Sequence, residues 1–256
     1  MALINAIGHL DERRLERLLR GRPRPEHVGI VMDGNRRWAR QAGFADPRLG
    51  HRFGSEHVAT LLGWCRDLDI RQVTVFVAST DNLAKRHSDE VAHLMQLVED
   101  VVAEQLAHPS SPWRVHLAGR LDMLPDSTRH ALKHAAEVTR TRHTDADVTI
   151  AIAYGGREEI VDAVRSLLDE EARAGATARE LAERITDADI AAHLYTAGRA
   201  DPDLIIRTSG ERRLSGFLIW QSTRSELHFC DSHWPGFRRI DLLRALRAYA
   251  ARRAGT

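Results

Sequence analysis

Val28-Gly29-Ile30-Val31-Met32-Asp33-Gly34-Asn35-Arg36-Arg37-Trp38 decides the fold of this chain. The first five residues form an apolar run that reads as a short buried strand. An acid, a Gly-Asn pair and two arginines follow at once. That order marks the carboxyl end of a strand in an open α/β sheet, where such folds bind ligands. Asp33 offers a hard oxygen for Mg²⁺. Gly34 lets backbone approach a ligand closely. Asn35 can orient a neighbouring group, and Arg36 and Arg37 carry forks that match phosphate oxygens. A metal ligand beside phosphate-binding groups points to diphosphate chemistry. The plain alternative is a polar turn with solvated arginines.

Outward from this stretch, strands and helices alternate. Val73 to Ala78, Val115 to Ala118, Val148 to Ile152, Leu204 to Ile206 and Phe217 to Ile219 read as further strands. Helices are expected over residues 8–20, 51–68, 125–141, 158–174, 177–194 and 240–253. A longer one opens at Ser88, a candidate cap, and runs to Leu106. Its apolar stripe is wider than a surface helix needs, as in a helix packed on two sides or in the wall of an apolar pocket. Ser79 to His87 reads as a polar loop, and Arg22-Pro23-Arg24-Pro25 as a linker. The fold class is therefore α/β: a single domain with a central, mostly parallel six-stranded sheet flanked by helices.

Composition sets outer bounds. The 256 residues suffice for one large α/β domain, and 43% hydrophobic with 29% charged residues is ordinary for a soluble globular protein. A net charge of +1 implies no nucleic-acid partner. Nearly all of the 37 basic residues are arginine, so only their placement is informative. Cys65 and Cys230 are isolated, which indicates neither a disulfide framework nor a zinc site. There is no basic leader and no apolar run long enough for a membrane span, so a cytoplasmic location is expected.

Polar clusters recur after strands: Asp33 to Trp38, then Ser79 to Asn82 with Lys85 and Arg86, then Arg207 to Ser215. In a parallel sheet such loops gather at one edge, and together they carry the charge that two diphosphates would need. The chain has no P-loop, no strand-linked dinucleotide fingerprint and no hydrolase elbow. His130 and His134 have a possible metal spacing but fit an exposed helical face, and His228 with Cys230 and His233 lacks a second cysteine.

These segments resemble the signatures of the cis-prenyltransferases, the undecaprenyl diphosphate synthase family. Met32 to Trp38 is similar to the first, Tyr154-Gly155-Gly156-Arg157 to another, and Ile206 to Gln221 followed by Ser225-Glu226-Leu227 to the longest. The likeness runs from about His27 to the C-terminus and is nearest to the actinobacterial short-chain members. It divides the chain into an N-terminal helix and linker (1–25) and a catalytic domain (26–256). It implies a homodimer, an apolar tunnel, Mg²⁺, and condensation of isopentenyl diphosphate with an allylic diphosphate to a Z-configured product. Geranyl or farnesyl diphosphate would be the primer and Z,E-farnesyl diphosphate a representative product. Peripheral membrane contact would assist product release.

Residue by residue, the resemblance gives Asp33, Asn35, His51 and Asn82 catalytic roles. Asp33 and Glu226 would hold the metal. Gly34, Asn35 and Arg37 would contact the allylic diphosphate with His51 assisting, Ser79 and Asn82 would line the reacting end, and Arg36, Trp38, Arg48, Leu83, Lys85 and Arg86 would also bind substrate. Arg207, Arg213 and Ser215 would hold isopentenyl diphosphate, and Arg253-Ala254-Gly255 resembles an element that reaches the partner's site. There are departures. Arg48 stands nearer His51 than usual, and Ala78 and Leu83 replace common aromatics. Lys85 and Arg86 compete for one family Arg, Ala153 replaces a common Asn, and Arg224 a common Tyr. The rival readings are a long-chain synthase for a cell-wall lipid carrier, a non-catalytic partner subunit, a phosphate-ester hydrolase, and an enzyme joining two allylic diphosphates. The retained Asp33, Arg207 and Arg213 speak against the partner subunit, and the Arg207 to Ser215 segment speaks for isopentenyl diphosphate.

Overall fold

The computed structural model describes residues 2–255, with side chains from Leu10 to Gly255. Six strands form one sheet: β1 (His27–Val31), β2 (Gln72–Ser79), β3 (Arg114–Ala118), β4 (Asp147–Tyr154), β5 (Leu204–Arg207) and β6 (Glu226–Phe229). Their order is β3-β4-β2-β1-β5-β6, and every neighbouring pair is parallel. The sheet is thus wholly rather than mostly parallel. Strand β4 is buried along its whole length, as an apolar strand covered on both faces must be.

The helices are α1 (Ala2–Leu19), α2 (Asn35–Gln41), α3 (Leu49–Asp67), α4 (Thr80–Lys85), α5 (Ser88–Val101), α6 (Asp126–Thr139), α7 (Gly156–Arg173), α8 (Ala178–Arg184), α9 (Asp187–Ala191) and α10 (Arg239–Arg253). A π-helical turn, Val102–Leu106, continues α5. The larger core unites α3, α5, α6 and α10 on one face of the sheet, and Leu15 and Leu19 dock α1 onto it. A smaller cluster around Phe76, Tyr154 and Phe217 fills the other face. Among the described residues, no helix is long and apolar enough to cross a membrane.

Four local expectations are corrected. Phe217 to Ile219 is no strand: Ser215, Gly216 and Leu218 have positive φ, and Phe217 stacks on Phe76 with ring centroids 4.9 Å apart. The sixth strand is Glu226–Phe229 instead, half-buried at the sheet edge and so lacking an apolar run. The loop after β2 holds α4, capped by the Ser79 hydroxyl, which accepts from the Asn82 N–H. Ser88 is the first residue of α5 rather than its cap, which is His87. Residues 177–194 divide into α8 and α9, each opened by its own capping box, Thr177 with Glu180 and Thr186 with Asp189.

Candidate active site

The carboxyl ends of the strands open into a cleft of ≈ 980 Å³. Asp33 leaves β1 and stands beside Arg207 at the end of β5, because Val31 and Arg207 are in register. Thr208 locks the acid's backbone: its hydroxyl accepts from the Asp33 N–H at 2.9 Å and donates to the Asp33 carbonyl at 2.7 Å. The Trp234 N–H donates to the same carbonyl at 3.0 Å. Gly34, at φ +105°, then turns the chain into α2. A side chain there would strike His233 as well as strain the backbone.

The Asp33 carboxylate accepts from Arg207 Nη2 at 2.7 Å and from Arg37 Nη2 at 3.3 Å. Burial alone would raise its pKa, but hydrogen bonds and charge from Arg207, with help from Ser209 and Arg37, hold it below the ordinary carboxylate range. Arg207 is itself buried, and its Nη1 donates to the Arg213 carbonyl and to the Ser215 hydroxyl, both at 2.6 Å. Its Nε is buried with no partner among the described residues. Arg37 also donates to the Ser209 hydroxyl at 2.8 Å.

Across the cleft, Glu90 on α5 gathers three groups: Arg36 at 3.5 Å, Arg86 at 3.6 Å and His51 at 3.7 Å. Burial, with the nearby Arg86 charge, lowers the His51 pKa to about 4, so its imidazole is neutral at pH 7. His51 sits on α3, which approaches α2 through two glycines. A Cβ at Gly50 would lie 2.1 Å from the Asn35 carbonyl oxygen, and one at Gly54 would lie 2.1 Å from Asn35 Oδ1. The Asn35 amide donates to the Met32 carbonyl at 3.3 Å, and Oδ1 is buried with no partner among the described residues.

Of the residues singled out in the sequence, Asp33, Gly34, Asn35, Arg36, Arg37, His51, Ser79, Asn82, Lys85, Arg86, Arg207, Arg213 and Ser215 all line the cleft. Four do not. Trp38 faces away and packs with Phe44 and Phe53. Arg48 is exposed and paired with Asp46 at 2.9 Å. Leu83 packs against the hydrophobic core. Glu226 pairs with Leu204 at the amino end of β6 and forms an ion pair with Arg252. It therefore lies roughly 16 Å along the sheet from Asp33, at about 3.3 Å per residue. Within one chain those two carboxylates cannot share an ion. Glu90, Thr208, Ser209, Arg40 and Trp234 received no role from the sequence, although all contact or line the site. For Thr208 and Ser209 the available signal was their place in the polar Arg207 to Ser215 cluster.

Behind the polar mouth the cleft becomes apolar. Val75, Val77 and Ala78 of β2 and Ile150 of β4 form one wall, facing Leu94, Leu97 and Val98 of α5. Val102 and Leu106 of the π-helical turn line its far part.

Arginines gathered at the ends of parallel strands and opening on an apolar channel are the arrangement that an enzyme acting on diphosphates with hydrocarbon chains requires. The sequence profile of the undecaprenyl diphosphate synthase family of prenyltransferases matches residues 31–255. An isoprenyl transferase of Streptomyces fradiae is 58% identical, over 95% of this chain and 94% of its own. A (2Z,6E)-farnesyl diphosphate synthase of Thermobifida fusca is 52% identical, over 96% and 95%. The crystal structure of lavandulyl diphosphate synthase from Lavandula x intermedia, in complex with dimethylallyl diphosphate, superposes with a TM-score of 0.81 at 30% identity, over 88% of this chain and 95% of that one. The chain belongs to the undecaprenyl diphosphate synthase family. It is a cis-prenyltransferase, a Z-prenyl diphosphate synthase.

Proposed function

We propose that this enzyme condenses geranyl diphosphate with isopentenyl diphosphate and stops at a short Z-product, C15 in the first instance. The length of the apolar channel carries this reading. From Leu94 to Leu106 the lining helix rises about 18 Å, at ~1.5 Å per residue. An extended isoprenyl unit needs about 5 Å, taking its four chain bonds at the ~1.2 Å per bond of an extended backbone. The channel thus takes three to four units. The cleft's ≈ 980 Å³ also falls within the range of about 300–1,000 Å³ of small-ligand pockets.

The allylic diphosphate belongs with Gly34, Arg36, Arg37 and His51, and isopentenyl diphosphate with Arg207, Arg213 and Ser215. Arg86, half-buried against Glu90, fits the family Arg role better than Lys85, which is exposed and paired with Asp81. Asp33 is the residue that would hold Mg²⁺. A single carboxylate suits that ion, which keeps several waters and takes substrate phosphates as further ligands. Among the described residues no cluster of three acidic, His or Cys side chains competes for it. When bound, Mg²⁺ supplies Lewis-acid charge to the leaving diphosphate. The protein's own share is positional. Arg36 and Arg37 neutralise the departing oxygens, and the apolar channel keeps water from the carbocation-like carbon. The departing proton goes to the leaving diphosphate, a far stronger base than a neutral amide, and Asn35 and Asn82, which both line the cleft, orient that transfer.

A cytoplasmic homodimer is proposed on the family resemblance. Exposed Leu10 and Leu18 on the arginine-bearing α1 support a peripheral membrane contact during product release. The test is a product assay with Mg²⁺, isopentenyl diphosphate and dimethylallyl, geranyl or farnesyl diphosphate. A Z-configured C15 product from geranyl diphosphate is expected. A ladder reaching C50 or C55 would make this a lipid-carrier synthase instead, and no product from any primer would restore the non-catalytic reading.

A further inference from the structure

The far part of the channel is formed by a π-helical turn whose support comes from outside the cavity. The Ala107 N–H donates to the Val102 carbonyl at 2.8 Å, a five-residue step. Such a turn leaves carbonyls beyond its end that need other donors. Arg142, in the connection between α6 and β4, supplies them. Its Nη1 donates to the Leu106 carbonyl at 2.7 Å and the Trp113 carbonyl at 2.8 Å. Its Nη2 donates to the Ala107 carbonyl at 2.9 Å and the His108 carbonyl at 2.6 Å. One guanidinium thereby ties together the end of the turn and the segment leading into β3. Arg142 does not line the cleft, whereas Val102 and Leu106, the residues it holds in place, do.

A second tie acts one turn earlier. The Ser127 and Thr128 hydroxyls of α6 donate to Glu99 of α5 at 2.9 and 2.6 Å. The α5 wall is therefore clamped from behind. Within the turn, the Gln105 side-chain amide oxygen is buried with no partner among the described residues.

We propose that Arg142 is a specificity-determining positioning residue: by pinning the π-helical turn it fixes where the channel ends, and hence how many five-carbon units are added. This rests on the short-chain reading of the channel. A planar guanidinium suits the task because its five donors lie in a fixed fork, whereas a lysine ammonium could reach only part of the carbonyl set. Without the fork, Leu106 and Val102 would yield to a growing chain.

The experiment compares product lengths from geranyl diphosphate, isopentenyl diphosphate and Mg²⁺ for wild type, Arg142→Ala, Arg142→Lys and the control Arg140→Ala. Arg140 lies on the same connection, but among the described residues its side chain bonds only its exposed neighbour Glu137. In both Arg142 variants the ratio of longer to shorter products should rise about tenfold, the change that one lost charge-assisted hydrogen bond corresponds to. Arg140→Ala should match wild type. An unchanged product profile in folded Arg142 variants would leave Arg142 a purely structural tie and overturn the proposal, as would an equal shift in Arg140→Ala. Failure of both Arg142 variants to fold would overturn it too, by making the residue a folding requirement. The wild-type product length tests the short-chain reading separately, since the Arg142 effect is read as a difference from wild type.

Discussion

Arg207 Nη2 lies 2.7 Å from Asp33 Oδ2, and the other nitrogen of the same fork reaches the Arg213 carbonyl and the Ser215 hydroxyl. One buried guanidinium thus joins the end of β1 to the loop after β5. The two halves of the proposed site, one for each diphosphate, meet at this ion pair. Any cation that Asp33 ligates must share its carboxylate with Arg207. The pair also keeps Asp33 ionised at neutral pH, ready for that exchange.

Asp33→Ala should reduce turnover by about a hundredfold or more, the scale of losing one preorganised electrostatic group. The fold should survive, because the Asp33 side chain is 31% exposed and Arg207 keeps its bonds to Arg213 and Ser215. Steady-state kinetics and thermal unfolding measured together check this. Near-normal turnover would remove Asp33 from the mechanism.

Arg213 is 67% exposed and pairs with Glu211 at 2.8 Å, so its head is available to a ligand at the cleft mouth. Arg213→Ala should raise KM for isopentenyl diphosphate roughly tenfold, the loss of one charge-assisted hydrogen bond. KM for the allylic primer should change far less. Equal weakening of both substrates would contradict the assignment of the two diphosphates to the two strand ends.

The fold was legible wherever burial and periodicity agree. Strands β1, β2 and β4 are apolar because both faces are covered, and their run of valine and isoleucine says so. Periodicity fails at Phe217, which is apolar because it plugs the smaller core from a left-handed turn, not because it extends a strand. It also fails at β6, an edge strand only partly covered. The boundary between α8 and α9 was present in the sequence as two T-x-x-acid boxes and needed only to be read as two starts. The site followed from motif residues where they are held by backbone next to their own strand, as with Asp33 and Arg207. Long-range partners were invisible. Glu90 reaches Arg36 and His51 only once α5 packs on α3. Trp38 and Arg48 look like ligands in the motif, yet local neighbours Phe44, Phe53 and Asp46 take them up.

Gly50 and Gly54 set the approach of α3 to Asn35. Gly50→Ala would drive a methyl into the Asn35 backbone carbonyl, which cannot rotate away, and should cost about 1–3 kcal/mol of stability as an overpacking change. Gly54→Ala meets the Asn35 side chain and the Trp234 ring. It should therefore displace the amide and lower kcat more than its loss of stability accounts for. Denaturant unfolding and kcat on both variants separate the two effects. Unaltered kcat in Gly54→Ala would mean that the Asn35 amide position is not needed for turnover.

His51 gives the enzyme a defined acid liability. Its folded pKa is lowered from 6.5 to about 4, by burial first and then by Arg86. The unfolded chain therefore takes up a proton below about pH 6.5 that the folded chain refuses until about pH 4. Above pH 6.5 this group leaves stability unchanged with pH, and as pH falls through the window from 6.5 to 4 it destabilises the fold progressively. The full effect has a ceiling of about 3–4 kcal/mol, at ~1.4 kcal/mol per pKa unit. Other histidines contribute to the same acid slope, since burial lowers His27, His57 and His233 as well. The share of His51 is isolated by difference. His51→Gln should lose less stability than wild type between pH 6.5 and pH 4.5 in urea unfolding, with the two slopes coinciding above pH 7. Parallel curves across the whole range would show that His51 protonates as readily in the folded protein as in the unfolded chain, and would undo the lowered pKa assigned to it.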